Sequence, residues 1–331
     1  MDAVEQAFQS DRILLTPGGT ETYLMFQQGY PLREMCAFDV LDDDDAWERL
    51  AHGYLRPIVR AARASGHGLL LDTLVWRAHP DFASAPGRSS GGVARVNELA
   101  VQRMRELVES EVGRDGARDG SVLLAADLGP RGDGYKVADA DVTPEAARDY
   151  HRAQIEVLAR AKVEVLCAYT MTSVAESIGI VLAARDAGLP IVVSPTVETD
   201  GTLPDGTPLG ELVRRVDEAT GAAPLLYMVN CAHPTHVAPT LARARAAGES
   251  WLARFGGLRA NSSKKSHAEL DESTELDRGD PHELAREVAE LRRDYDLRVV
   301  GGCCGTDAEH VAEIARAVAA ATPAASVACA S

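Results

Sequence analysis

Gly301-Gly302-Cys303-Cys304-Gly305 sets two thiols side by side between glycines. Just upstream, Leu297-Arg298-Val299-Val300 is a short apolar run that predicts a β-strand. Just downstream, Thr306 or Asp307 stands where it would cap a helix whose apolar residues Val311, Ile314, Ala315 and Val318 keep helical spacing. The thiols therefore fall where a strand gives way to a helix, flanked by residues that let the backbone turn and approach a ligand closely. A disulfide between neighbouring cysteines is strained and uncommon, so two thiolates on a soft metal is the better reading. Two ligands do not complete a zinc site. The third candidate is Cys231, which ends Leu225-Leu226-Tyr227-Met228-Val229-Asn230-Cys231, another apolar strand pattern. Three thiolates with an open fourth position describe a catalytic zinc rather than a structural one.

The same strand-then-helix pattern runs through the chain. Strands are expected at 12–15, 68–75, 122–126, 163–168, 191–194, 225–231, 257–261 and 297–300, with helical patterns between them, among them 47–64, 96–112, 144–161 and 174–187. Eight such units without a break in composition predict an α/β fold, a single closed (β/α)8 TIM barrel over residues 1–321. The Ala-, Ser- and Pro-rich stretch 322–331 is expected to be a disordered tail, with Cys329 a bystander. In such a barrel the chemistry sits where strands end. Gly18-Gly19, Cys231 and Cys303-Cys304 all fall at strand ends. The long polar loops 39–45, 78–92 and 261–280 include the run Asp42 to Asp45, expected to be a solvated surface.

Composition narrows the partners. Of 331 residues, 46% are hydrophobic, enough for a large core, and the formal charge of −16 argues against nucleic acid and against anionic membrane surfaces. No run approaches ~18 apolar residues, and Met1 to Ser10 is polar and acidic, unlike a signal peptide. The six cysteines, Cys36, Cys167, Cys231, Cys303, Cys304 and Cys329, are too scattered for a secreted disulfide framework. A reducing cytoplasm is the expected location, with small-molecule partners and a homo-oligomer left open.

Asn230-Cys231 at one strand end, Gly301 to Gly305 at a later one and the Gly18-Gly19 turn after the first strand together resemble the homocysteine S-methyltransferase family. The resemblance runs roughly from Arg12 to Val318. It implies a zinc-dependent barrel that methylates a zinc-bound thiol, most simply homocysteine giving methionine, from a sulfonium donor such as S-methylmethionine or S-adenosylmethionine. It also implies Zn2+ on Cys231, Cys303 and Cys304, with Asn230 beside the metal. Gly18, Gly19 and Thr20 would form the turn whose N–H groups hold the acceptor's carboxylate. Residues 127–132 would form the family's Gly-Pro loop over the site.

Two positions depart from the family. Pro17 stands where members usually carry Asp, and Tyr169 where many carry Glu, the two carboxylates that help hold the acceptor's amino group. Glu21 is the nearest substitute. Glu176 is expected on a helix face, His233 at the rim, and Asp72, Thr73 and Trp76 in the pocket wall. A zinc–thiolate barrel acting on another thiol or donor, and a non-catalytic zinc- or thiol-binding protein, stay open. A Schiff-base lyase is disfavoured because none of Lys136, Lys162, Lys264 and Lys265 ends a confident strand.

Overall fold

Short runs rich in branched aliphatic residues, buried on both faces, form parallel strands when helices cover the outside. The computed structural model describes residues 3–85, 91–116, 120–137 and 142–320. Its strands are β1 (Leu14–Thr16), β2 (Gly68–Asp72), β3 (Val122–Leu128), β4 (Val165–Met171), β5 (Ile191–Pro195), β6 (Tyr227–Ala232), β7 (Phe255–Ala260) and β8 (Val299–Gly302). They close into one parallel barrel in chain order. Leu14 pairs with Gly68 on one side and with Val299 on the other, which seals the ring. The expected (β/α)8 barrel is therefore the fold. The expected tail 322–331, Cys329 included, lies outside the described residues.

Helices begin where the sequence supplies caps. Thr143 accepts from Ala146 N ahead of Pro144–Arg160, and Asp280 accepts from His282 N and Glu283 N ahead of Pro281–Tyr295. The acidic run near residue 43 is more than a solvated surface. Asp43 caps Asp44–Leu50 by accepting from Ala46 N at 2.9 Å, and Asp42 pairs with Arg95 at 2.9 Å. At the start of the chain, Ala3–Gln9 is a short helix whose Val4, Ala7 and Phe8 join the barrel's interior cluster.

That interior cluster holds Leu14, Leu70, Ala125, Cys167, Val192 and Met228. Side chains alternate along a strand, so residues two further on face the same interior, one layer nearer the strand ends. Those residues are Thr16, Asp72, Asp127, Tyr169, Ser194 and Asn230, all buried. Arg259 of β7 belongs to the same layer. An apolar barrel floor thus carries a polar ring at its C-terminal rim.

Candidate active site at the strand ends

Strict alternation would send Cys231 outward to the helices, because Asn230 faces inward. A bulge prevents this. Cys231 has φ +55°, and the β6–β7 register shifts between Asn230 and Ala232. The extra residue turns the sulfur toward the interior. Its carbonyl is held by His267 Nε2 at 2.9 Å. A matching irregularity ends β4, where Thr170 has φ +55° and the register shifts between Tyr169 and Met171. Asn230 ties the two together: its Oδ1 accepts from Thr170 N at 2.8 Å and from Ser194 Oγ at 2.7 Å, and its Nδ2 lies 3.9 Å from Cys303 Sγ.

The other two thiols sit on a tight turn. Thr306 N donates to Cys303 O at 3.1 Å, and Gly305, third in the turn, has φ +78°, a conformation glycine adopts without a Cβ clash. Gly18 and Gly19 press against this turn. A Cβ on Gly19 would lie 2.7 Å from Cys303 O, and one on Gly18 would lie 2.6 Å from Thr306 O. Gly19 N–H already donates to Thr306 O at 3.0 Å, so it is not available to a substrate carboxylate. The glycine pair permits this close packing, and Gly18, Gly19, Thr20 and Glu21 all line the pocket.

Cys231, Cys303 and Cys304 bring their sulfurs within 4.8 Å of one another. Cys231 Sγ and Cys304 Sγ are 3.6 Å apart, close to the ~3.8 Å edge of a tetrahedron with Zn–S bonds of ~2.3 Å. Cys231 and Cys303 are in disulfide contact, with Cα atoms 5.4 Å apart, so the adjacent pair Cys303-Cys304 is not the one joined. Three soft donors converging on one point fit a thiophilic metal once reduced. Burial pushes the Cys304 thiol up, so a charged ligand state there calls for a compensating cation. Tyr135, which the sequence did not single out, places its hydroxyl 3.2 Å from Cys231 Sγ and 3.7 Å from Cys304 Sγ.

Around the sulfurs lies a small pocket of about 50 Å³, lined by Gly18, Gly19, Thr20, Glu21, Tyr169, Asn230 and the three cysteines, with Asp72, Asp127, Tyr135 and Arg259. Arg259 is a second residue the sequence reading missed; the signal was a cation inside an apolar strand. Its Nη1 pairs with Asp72 Oδ2 at 2.9 Å, and its other nitrogens donate to Gly302 O at 3.0 Å, Gly18 O at 3.2 Å and Pro17 O at 3.3 Å. Burial opposes the guanidinium charge, and Asp72 with Tyr169 more than reverses this. The Tyr169 ring lies under that guanidinium at 4.3 Å, and its hydroxyl donates to Asp72 at 3.4 Å. Tyr169 is thus built into the Arg259–Asp72 pair. Burial and the Asp72 charge push the Asp127 carboxyl well up, and its Oδ1 accepts from Thr73 N and Val75 N at 3.1 and 3.0 Å. Glu21 differs from both: burial pushes its carboxyl up, and among the described residues no side chain pairs with it.

The loop that delivers Tyr135 is anchored from below. Glu176 lies on the helix Val174–Asp186, as expected, on a face turned inward. It is buried, and its Oε1 accepts from Arg131 N at 2.7 Å and faces His151 Nε2 at 2.9 Å. Arg77 donates to Gly132 O at 2.6 Å and stacks over Trp76 at 4.3 Å. His233 caps Pro234–Ala246 through Thr235 and faces Glu287 at 3.4 Å, away from the sulfurs.

A family model for homocysteine S-methyltransferase matches residues 20–318. The fold is similar to that of the homocysteine methyltransferase MmuM from Escherichia coli. The metallated form superposes with a TM-score of 0.68 at 19% identity, covering 93% of this chain and 97% of that one. The oxidized form gives 0.68 at 18% identity, with 92% and 96% covered. The apo form gives 0.62 at 16%, with 93% and 96% covered. Identities this low speak for the shared barrel alone; membership rests on the family match, which takes in seven of the eight strands and every cysteine of the sulfur cluster. The chain is a methyltransferase and belongs to the homocysteine S-methyltransferase family.

Proposed function

We propose that this chain is a zinc-dependent S-methyltransferase that converts homocysteine to methionine with a sulfonium methyl donor, S-methylmethionine or S-adenosylmethionine, in the cytoplasm. The observation that carries this reading is the convergence of Cys231, Cys303 and Cys304 beside a pocket rich in carboxylate. The reduced cysteines would hold the zinc. Zinc, when bound, supplies a Lewis acid that lowers the pKa of an acceptor thiol from its free value of ~8.5.

The chain's own residues do the rest. Tyr135 donates its hydroxyl proton toward the cysteine sulfurs and so moderates their accumulated negative charge. Glu21, unpaired at the pocket wall, is the partner for the acceptor's ammonium group. Thr20, beside Glu21 on the same loop, is the candidate donor to the acceptor's carboxylate. The acceptor's thiol would release its proton to solvent on binding; its sulfur lone pair then forms the new S–CH3 bond, the donor's C–S bond breaks toward its own sulfur, and a neutral thioether leaves. No general base among the side chains is required.

The test is metal content and methyl transfer, measured together on reduced protein. About one zinc per chain, with transfer of a labelled methyl group to homocysteine, is expected. Replacing Cys231, Cys303 or Cys304 by Ser should abolish both. Full zinc retention in Cys231→Ser would overturn the three-thiolate assignment.

A further inference from the structure

Of the three cysteines, Cys231 alone is aimed by a bulge in its strand, with φ +55°. The extra residue of a bulge stands outside the ladder, and here side chains meet its carbonyl. His267 Nε2 donates to Cys231 O at 2.9 Å, and Asn261 Nδ2 at the longer distance of 3.5 Å. Both side chains come from the segment that follows β7. We propose that His267 is a positioning residue of the thiol centre, which fixes the Cys231 peptide and so sets where that sulfur points. This role rests on the three-thiolate reading above: His267 shapes the centre without joining it.

Three features fit His267 for this. The first is a firm mount. His267 opens the helix His267–Asp271 behind a capping box, in which Ser266 Oγ accepts from Glu269 N at 3.3 Å and the Glu269 carboxylate accepts from Ser266 N at 2.8 Å. The second is a fixed ring plane. Nδ1 lies 3.2 Å from Oε1 of Glu198, in the loop after β5. Glu198 is itself held in a turn, its N–H donating to Thr202 O at 2.8 Å and its carbonyl accepting from Gly201 N at 2.9 Å. A carboxylate at one ring nitrogen orients the other toward its target, as it does for histidines that bind metal. The third is Tyr135, whose ring packs on His267 with centroids 4.9 Å apart and whose hydroxyl lies 3.2 Å from Cys231 Sγ. One imidazole therefore bears on Cys231 twice, directly at its carbonyl and through Tyr135 at its sulfur.

Topology explains why this segment has the task. In the barrel β7 lies between β6, which carries Cys231, and β8, which leads to Cys303 and Cys304. The loop after β7 is thus placed to span the ligand-bearing strands, and it holds both sides. Ser262 N donates to Cys304 O at 3.1 Å, and Asn261 N donates to Ala232 O at 3.1 Å. A left-handed residue persists in a strand only when its surroundings over-determine it. Without the His267 donor, the Cys231 peptide can relax toward the extended region, and its sulfur then turns toward the outer helices. The effect falls on the ligand set and on the rate of transfer. Thr20 and Glu21, which meet the acceptor in the reading above, belong to the loop after β1 and keep their places.

Two variants of the full, reduced chain separate the donor from the ring. His267→Gln keeps an N–H that reaches the carbonyl and loses the ring; His267→Phe keeps a ring against Tyr135 and loses the donor. Chelator competition measures zinc affinity, and cobalt(II) substitution counts bound thiolates through the sulfur-to-cobalt charge-transfer band. H267F should bind zinc about tenfold more weakly and lose about a third of the cobalt band, one sulfur of three. H267Q should stay within about threefold of the wild type and keep the full band. At saturating zinc, H267F should lower kcat about tenfold and leave the homocysteine KM unchanged. Equal losses in both variants, wild-type affinity with a full band in H267F, or a change in homocysteine KM alone would overturn the proposal. Should H267F fail to fold, E198A carries the contrast, because it keeps the ring and frees its plane. Zinc affinity should then fall about threefold, and an unchanged value would overturn the proposal. A wild-type chain that binds no zinc would instead refute the three-thiolate reading itself, and the role of His267 with it.

Discussion

The Tyr135 hydroxyl lies 3.2 Å from Cys231 Sγ although Tyr135 comes from the loop after β3 and Cys231 from β6, three strands further round the barrel. A phenol in that place donates to a thiolate and offsets part of the charge three thiolates bring together. Tyr135→Phe should keep the fold and weaken zinc binding by about tenfold, the usual scale for losing an outer hydrogen bond to a metal ligand. Competition with a chromogenic chelator measures this, and an unchanged affinity would show that the contact does not act on the sulfurs.

Glu21 offers a charge partner that Pro17 and Tyr169 do not. The wild-type enzyme should therefore prefer homocysteine to its des-amino analogue by more than about a hundredfold in kcat/KM, roughly 2.7 kcal/mol. Glu21→Gln should cut that preference to about tenfold or less, chiefly through the homocysteine KM. If discrimination survives the substitution, another group holds the ammonium.

Arg259 and Asp72 span the barrel rim, and the guanidinium also fastens the β1 loop through Pro17 O and Gly18 O. Removing one partner leaves a buried charge alone, which typically costs about 3–5 kcal/mol. Arg259→Met should lower Tm steeply, and Asp72→Asn/Arg259→Met should recover part of the loss. Thermal unfolding of the three proteins decides this; a double variant no better than Arg259→Met would contradict a coupled pair. Tyr169→Glu, which restores the family's acid, would add a carboxylate beside Asp72 and should destabilise as well.

His79 is buried beside Tyr150, and burial first, then the nearby His151 and Arg77, push its pKa down to about 3. An unfolded histidine titrates near ~6.5, so the unfolded chain takes up the proton first. His79 therefore contributes stability above that value, and the contribution declines as pH falls from about 6.5 toward 3. Chemical denaturation between pH 7 and 4 should show a shallower pH slope in His79→Gln than in the wild type. Parallel slopes would remove His79 from the account.

The barrel was legible because each strand run is apolar and each is followed by a helical pattern with its own cap, as at Thr143 and Asp280. The cysteines were legible by type and by position at strand ends. Their common orientation was not, since alternation alone turns Cys231 away from Asn230's side of the sheet. Tyr135 escaped notice because its position depends on the path of a loop that Glu176 and Arg77 hold through backbone atoms. Glu176 was legible as a helix residue but its burial was not, because the helix Val174–Asp186 is buried on most sides and leaves no clear polar face to read. Arg259 could have been found: a cation one residue before the end of an otherwise apolar strand needs a partner, and inward-facing Asp72 was the natural one.

The bulge at Cys231 also bears on how such a centre could be moved. A barrel gives every strand the same rotational phase, so a side-chain graft onto matching rim positions inherits that phase. Three cysteines copied onto a regular barrel would place one sulfur among the outer helices, however well the residue types were chosen. The inserted residue would have to travel with them, together with an Asn230 equivalent that reaches across β5 to hold the matching irregularity in β4. The transferable unit is a backbone dislocation with its brace, and the cysteines are its passengers.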